Sequence, residues 1–419
     1  MAVTNIIKLS KFEGSKRIDA EFYQPKYFFL LNKLKNSGVV PLKKVAKPIR
    51  RKFQPKEDEF FDYIEIAEVD LSTGAFNISK ILGKDAPDRA QWIVKKGDIL
   101  VSTVRPIRNA IVLINKNQET LVCSSGFCVL HPKNIPSEYL FLYLKNDFIA
   151  YLLDRYTTTT EYPAVSWNDI LNIPVYLGDD ESFRKNISNF IQKVFRLLKT
   201  SESLYSQAES LLLEKLKLNV FKPKYKLFYT ANLSKAFGHH RIDAEYFQPC
   251  YDDLIKYLGN KFETVPLKKF ILNFQKGIEV GSKSYQKEGK PFIRVSNLSI
   301  HGLVEKDQKY IDDKLYQNLR DIYEPKIGDF LLTKDATPGI AYVTKEPTKG
   351  IIASGILKLN IDENEIYKEY LALCVNLMIG KMQIERDGGG SVITHWRPEQ
   401  IKNLHSVYKI GCCSLTKYV

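Results

Sequence analysis

Six short stretches of the chain concentrate side chains that donate or accept hydrogen bonds. They are Arg50-Arg51-Lys52, Ser102–Asn109 (with Thr103, Arg105, Arg108 and Asn109), and Thr157–Tyr162 (with Thr158, Thr159, Thr160 and Tyr162). The others are Arg294 with Ser296 and Asn297, Thr333–Gly339 (with Lys334, Asp335 and Thr337), and Gly388–His395 (with Gly389, Gly390, Ser391, Thr394 and His395). The chemistry these residue types share is recognition of a nucleic acid. Arg or Lys reads guanine, Asn or Gln reads adenine, and Ser or Thr reads several edges. Threonine hydroxyls and glycine amides suit phosphate oxygens, and glycine lets the backbone approach closely. The alternatives are solvated loops and tips, a plain basic surface at 50–52, and an ion pair of Arg294 with an acid such as Asp329. Catalytic patterns are missing from the sequence. It has no [DN]-P-P-[YF] motif, no Gly-rich cofactor loop after a strand, no Walker A motif, no H-E-x-x-H and no Cys/His zinc spacing.

The elements that position these stretches come in two copies. RIDAEFYQP at 17–25 returns as RIDAEYFQP at 241–249, and VPLKK at 40–44 returns at 265–269. KKGDILVST at 95–103 matches KIGDFLLTK at 326–334, and Ser125-Gly126 matches Ser354-Gly355. The order is kept over a period near 225, far longer than a solenoid unit of ~20–50 residues, so a whole domain is duplicated. Each copy reads as mixed α and β. Strands are expected at 61–69, 98–103, 110–114, 121–130, 291–298, 329–333, 340–343 and 351–359, and helices at 20–35, 137–156, 244–258 and 365–385. The polar stretches fall between well-matched framework segments and differ between copies, as loops serving two different targets would. Arg17/Asp19 and Arg241/Asp243 repeat most faithfully. That argues for scaffold or a docking surface, with structural ion pairing favoured, and against base readout.

Between the copies, 179–218 lacks Gly and Pro. Ile187, Phe190, Val194, Leu197, Leu204, Ala208 and Leu211 follow a 3,4 spacing with Ser201 in the one gap. This predicts a heptad helix of roughly 60 Å, either packed on a domain core or acting as a free coiled-coil spacer; the narrow stripe favours the spacer. The whole chain of 419 residues carries 62 Lys+Arg against 48 Asp+Glu, and 44% of it is hydrophobic. The formal charge is +14, of which the helix holds only +1, so a polyanion is expected at the two copies. No apolar run approaches the ~20 residues of a membrane span, the start does not read as a signal peptide, and the cysteine spacing is not a disulfide framework. A cytoplasmic protein is expected.

The duplicated R-I-D-A-E-[FY]-[FY]-Q-P, the duplicated G-D-[IF]-L, PFIRVSNL at 291–298 with its weaker partner DYIEIAEVD at 62–70, and the heptad helix together resemble the DNA specificity subunit of type I restriction–modification systems, over about 9–410. The resemblance implies an α+β fold with two tandem, pseudo-two-fold-related target-recognition domains joined by a long coiled-coil spacer. The expected boundaries are 1–178, 179–218 and 219–410, with a short tail at 411–419. It implies a non-catalytic subunit that reads a split target in double-stranded DNA and puts the loops after the G-D-[IF]-L strands against that DNA. Modification subunits carrying S-adenosylmethionine then methylate adenine, a separate motor subunit restricts, and the system serves phage defence. No cofactor is expected on this chain.

The sequence departs from that pattern at its end, where a second long helix is expected and absent. Ile187, Phe190, Val194, Leu197, Leu204 and Leu211 are therefore expected to meet a helix of another chain, a second copy or a modification subunit. The other readings are a truncated variant acting as a dimer or impaired in assembly, and a protein-binding adaptor with duplicated lobes.

Overall fold

The duplication in sequence is a duplication in fold. In the computed structural model, which describes residues 5–10, 17–35, 38–117, 120–157, 162–178, 180–305, 307–388 and 395–409, two compact units divide between Ser201 and Glu202. Each contains a four-stranded antiparallel sheet with the same connectivity. In the first lobe the strands lie in the order Ala46–Pro48, Phe127–Pro132, Ile99–Ser102, Ile111–Leu113; in the second, Ile271–Lys276, Ile356–Ile361, Phe330–Thr333, Ala341–Val343. Each also pairs an early strand with its last one, Val40–Pro41 with Pro174–Val175 and Glu263–Pro266 with His405–Lys409. A second sheet in each lobe contains a parallel pair, Phe60–Ile64 with Leu121–Ser124 and Lys290–Ile293 with Ile351–Ile352. The fold is α+β.

The G-D-[IF]-L motif explains itself locally. Gly97 and Gly328 sit at φ +89° and +86°, open to glycine and strained for other residues. Asp98 and Asp329 then close the turn, each accepting a 2.8 Å hydrogen bond from the amide three residues earlier, of Lys95 and Lys326. The strands that follow, Ile99–Ser102 and Phe330–Thr333, are buried along their whole length, so they read as unbroken apolar runs.

Several expected elements are shorter or split. The helix expected at 137–156 is two, Ser137–Leu144 and Asp147–Asp154, because the Asn146 side chain accepts from Phe148 N and starts a new helix. The one expected at 365–385 breaks at the extended Leu377 into Lys368–Asn376 and Met378–Gly388. Pro25 and Pro249 cut the other two into a 3₁₀ turn followed by helices Pro25–Lys35 and Pro249–Gly259. The apolar run 121–130 is two strands belonging to different sheets, separated by the Ser125-Gly126 turn. A helix at Asp313–Tyr323, in the second lobe only, was not foreseen.

The helix between the copies runs Glu181–Lys215, about 52 Å at the α-helical rise. It is bounded by the left-handed Lys217, while Asp179 and the tail 411–419 lie outside the described residues. It both packs on lobes and leaves a free stripe. Ile187, Ile191 and Phe195 pack on the first lobe's core, and Ser188 and Gln192 donate to Glu138. Leu212 and Leu216 enter a second-lobe cluster with Cys250, Tyr251 and Leu254. Ile187, expected on the partner stripe, therefore belongs in part to the first lobe. The rest of that stripe stays open: Phe190 is 68% exposed, Leu197 60%, Leu204 59%, and Val194 and Leu211 are also exposed. At 3.6 residues per turn it lies roughly 100° round the axis from the packed residues. Among the described residues no helix is long and apolar enough to cross a membrane.

Candidate nucleic-acid interface

The most faithful repeat is a clamp. Arg17 Nε and Nη2 donate to the two Asp19 carboxylate oxygens at 2.7 and 2.6 Å, while Nη1 and Nη2 reach the carbonyls of Tyr156 and Thr157, both at 2.9 Å. Arg241 does the same with Asp243, at 2.7 Å for both bonds, and with the Asp387 carbonyl. The hydrogen bonds from Arg17 and Arg241 hold Asp19 and Asp243 below the usual carboxylate range. Each clamp grips the end of a helix at the point where a polar stretch begins. In the second lobe Asp387 also accepts from the indole Nε1 of the buried Trp396, so both sides of 388–396 are tied at one residue. The ion-pair reading of the motif holds; what the sequence did not reveal is what the pair clamps.

The loop after each G-D-[IF]-L strand is the tip of a β-hairpin. In the first lobe Val104 bridges Ala164, and Arg105 stands in the left-handed region at φ 46° with its guanidinium 5.4 Å from the Tyr162 ring centre. Arg108 and Tyr162 are exposed. Thr103 and Asn109 are less available: Thr103 Oγ1 donates to the Gly126 carbonyl, and the buried Asn109 donates from Nδ2 to the Lys145 carbonyl at 2.6 Å. Lys145 returns a bond from Nζ to the Asn109 carbonyl, and burial pushes its pKa down to about 8.

The second-lobe hairpin keeps the strand register and the bridge, but its tip is one residue shorter and lacks the 3₁₀ turn Pro106–Arg108, and its chemistry differs. Asp335 bridges His395 where Val104 bridges Ala164, and Ala336, at φ 58°, takes the place of Arg105. Asp335 Oδ2 accepts from Lys334 Nζ at 2.5 Å, and Oδ1 lies 2.8 Å from His395 Nδ1. Burial acts against the Asp335 charge, yet these partners hold its carboxyl below the usual range. Thr337 and His395 are exposed. Asn376 holds this hairpin from behind, bonding both the N–H and the C=O of Ala341.

A third position differs in the same way. After the first strand of each parallel pair, Glu65 and Arg294 occupy the same place, before a 3₁₀ turn. Arg294 pairs with Asp307 at 3.2 Å; the alternative partner Asp329 sits instead 3.8 Å from Lys358. The buried Asn297 is spent on the turn, accepting from Arg294 N and donating to the Val304 carbonyl, whereas Ser296 is exposed. Arg294, Ser296, Asp335 and Thr337 line one cleft of about 540 Å³, together with Glu279, Tyr285, Phe292, Ser354 and Gly355.

In the basic triplet, Arg50 is exposed and lies 4.7 Å over the Trp167 ring. Arg51 is instead ion-paired with the fully buried Asp98, which also meets His131 Nδ1 at 2.8 Å. Thr158, Thr159, Thr160, Gly389, Gly390, Ser391 and Thr394 lie outside the described residues. Sequence reasoning missed Glu279, Tyr285 and Ser354. The signal that finds their cleft is the inversion of residue character between copies: Glu65 against Arg294, Val104 against Asp335, and Ala164 against His395. Among the described residues, no group of three or more His, Cys, Asp or Glu side chains is placed to hold a metal ion.

Comparison with known proteins finds a family match over part of the chain. Residues 30–210 match the family described as the Type I restriction modification DNA specificity domain. A stretch of 106 residues is 27% identical to the type I restriction enzyme HindI specificity subunit of Haemophilus influenzae, spanning 24% of this chain and 23%, about a quarter, of that protein. Among solved structures, the HsdS subunit from Thermoanaerobacter tengcongensis is similar at 20% identity, over 88% of this chain and 83% of that one, with a TM-score of 0.34. The type I restriction–modification S subunit from M. genitalium is similar at 11% identity, over 89% and 85%, with a TM-score of 0.35.

Proposed function

From the match of residues 30–210 to the type I restriction modification DNA specificity domain, we propose that this chain is a non-catalytic DNA-binding subunit of that family that reads a bipartite target. Each lobe reads one half-site, and partner subunits carrying S-adenosylmethionine methylate adenine there. A motor subunit adds restriction in a cytoplasmic complex that defends against phage. The observation that supports this is the repeated hairpin, alike in strand register and bridge, whose tip chemistry differs: Arg105 in one lobe, Asp335 with Lys334 and His395 in the other. A scaffold used twice for one ligand has no reason to change the groups at its tip, whereas one used on two unlike half-sites does. The surplus of Lys and Arg supplies phosphate contacts, which makes the affinity fall steeply with salt. The exposed helix stripe takes a helix of another chain.

The test is methylation-aware sequencing of the host genome with and without the gene. A bipartite adenine mark that disappears on deletion is the expected result. An unchanged set of methylated adenines would refute the reading and leave a protein-binding role for the lobes.

A further inference from the structure

Resting on that reading of the lobes, we infer that the two hairpins read base edges of opposite hydrogen-bonding sense. The first selects an acceptor edge, that of guanine, and the second selects an exocyclic amino group, as on cytosine or adenine.

The argument begins from backbone identity. The two hairpins share register, the strand before each tip being paired to the same neighbours. Both tips turn through a left-handed residue, Arg105 at φ 46° and Ala336 at φ 58°. Both are tied by one bridge to the segment leading into the last helix, Val104 to Ala164 and Asp335 to His395. Up to these two positions a difference in side chain is a difference in what the tip offers; beyond them the first tip is one residue longer and turns through Pro106–Arg108.

The first tip offers donors. Residues 101–110 contain Arg105 and Arg108 and no acid. Arg105 leans on the Tyr162 ring, a face-on support that leaves the guanidinium edge free to donate in parallel. Guanine presents two acceptors to such a fork.

The second tip offers acceptors. Asp335 stands on one wall of the cleft, with Glu279 also lining it. Lys334 and His395 each engage one Asp335 oxygen and keep the carboxylate ionised, and each oxygen has a second lone pair. Glu279 Oε2 accepts from Ser354 Oγ at 3.1 Å and is fixed by it. The floor is Gly355, where an added Cβ would lie 2.7 Å from Val295 and 3.5 Å from Asp335 Cβ, so a larger residue would crowd the wall that carries the carboxylate. The charged donor in the cleft is Arg294, whose Nε is buried without a hydrogen-bond partner; the hydroxyls of Tyr285, Ser296 and Thr337 also line it and can donate or accept. A carboxylate accepts from the amino group of a base and repels an acceptor edge, so guanine and thymine are disfavoured opposite Asp335.

The experiment reads the methylation motif of the host carrying wild-type, Asp335→Asn, or the triple variant Asp335→Val with Ala336→Arg and His395→Ala, which places the first lobe's Val104, Arg105 and Ala164 at the matching second-lobe positions. The wild type should show cytosine or adenine at one position of one half-site, and the identity of that base separates the two sources of the amino group. Asp335→Asn should relax that position, lowering a preference of roughly 10–100-fold to near none, with the other half-site unchanged. The triple variant should move the position to guanine. Relaxation with Asp335→Asn, or a guanine shift with the triple variant, supports the inference. A motif left unchanged by both variants, or a mark abolished by both, overturns it. Absence of any bipartite mark in the wild type would instead sink the functional reading beneath it.

Discussion

The open stripe on the helix Glu181–Lys215 carries a quantitative prediction. Phe190, Leu197 and Leu204 are 68%, 60% and 59% exposed, so well over half of each side chain remains to be covered by a partner. Full burial of a Leu or Phe side chain is worth about 2 kcal/mol. Changing these three to Gln therefore removes about 4 kcal/mol of association energy, close to a thousandfold in Kd. The entropic cost of association is common to both proteins and drops out of the comparison. Should the partner be a second copy, both helices carry the change and the loss doubles to about 8 kcal/mol, on the order of 10⁶-fold. The size of the effect thus reports which partner the stripe meets. Gln is nearly as good a helix former as Leu, and none of the three packs on a lobe core, so the fold should survive. Sedimentation velocity over a concentration series, alone and with the methyltransferase subunit, measures both cases, and circular dichroism checks the helix. A variant that assembles as tightly as wild type, to within threefold in both cases, would refute the assignment.

Two further outcomes follow from the lobes. Arg241→Ala should cost about 2 kcal/mol in urea melts, because it breaks the bidentate pair with Asp243 and strips the Asp387 carbonyl of its donor, whereas Ile242→Ser, 93% exposed beside it, should change stability by less than about 0.5 kcal/mol. Lys145 carries a pKa lowered to about 8 by burial, so between there and its unfolded value near 10.5 the unfolded chain binds more protons and stability rises with pH; after a discount for solvent screening the gain is about 1–2 kcal/mol, absent in Lys145→Met, as urea midpoints at pH 7.5 and 9.5 would show.

What the sequence made legible was whatever the duplication repeated. The two lobes, the G-D turn and the Arg–Asp pair were readable because they occur twice, and the helix Glu181–Lys215 between them through its own 3,4 apolar spacing. Helix breaks were less legible: Asn146 starts a new helix through its cap and Leu377 ends one through its backbone angles, which an apolar periodicity does not register. Individual site residues were the least legible, since residue type does not reveal how a polar group is spent. Arg51 and Arg50 are neighbours of identical chemistry, yet one is consumed by the buried Asp98 and the other stays exposed. Asn109 and Asn297 looked like adenine readers and serve as structural ties.

That sorting leads to a criterion for base readout in a duplicated protein. A polar side chain that keeps both its type and its partners in the two copies is scaffold, as Arg17 and Arg241 are. One that differs but is fully hydrogen-bonded inside its own lobe maintains local shape, as Lys145 and Asn376 do by holding their hairpins from behind with different groups. Only a residue that differs, stands on matched backbone and retains unspent hydrogen-bonding capacity can tell one half-site from another. Arg105, and Asp335 with its neighbour Arg294, meet all three conditions. The inversion of charge at Glu65 and Arg294 falls beside the inversion at the hairpins. Two neighbouring reversals on an otherwise preserved scaffold are what opposite base edges would demand, because a donor facing a donor leaves both without a partner, at a cost that neither lobe could recover elsewhere in its half-site.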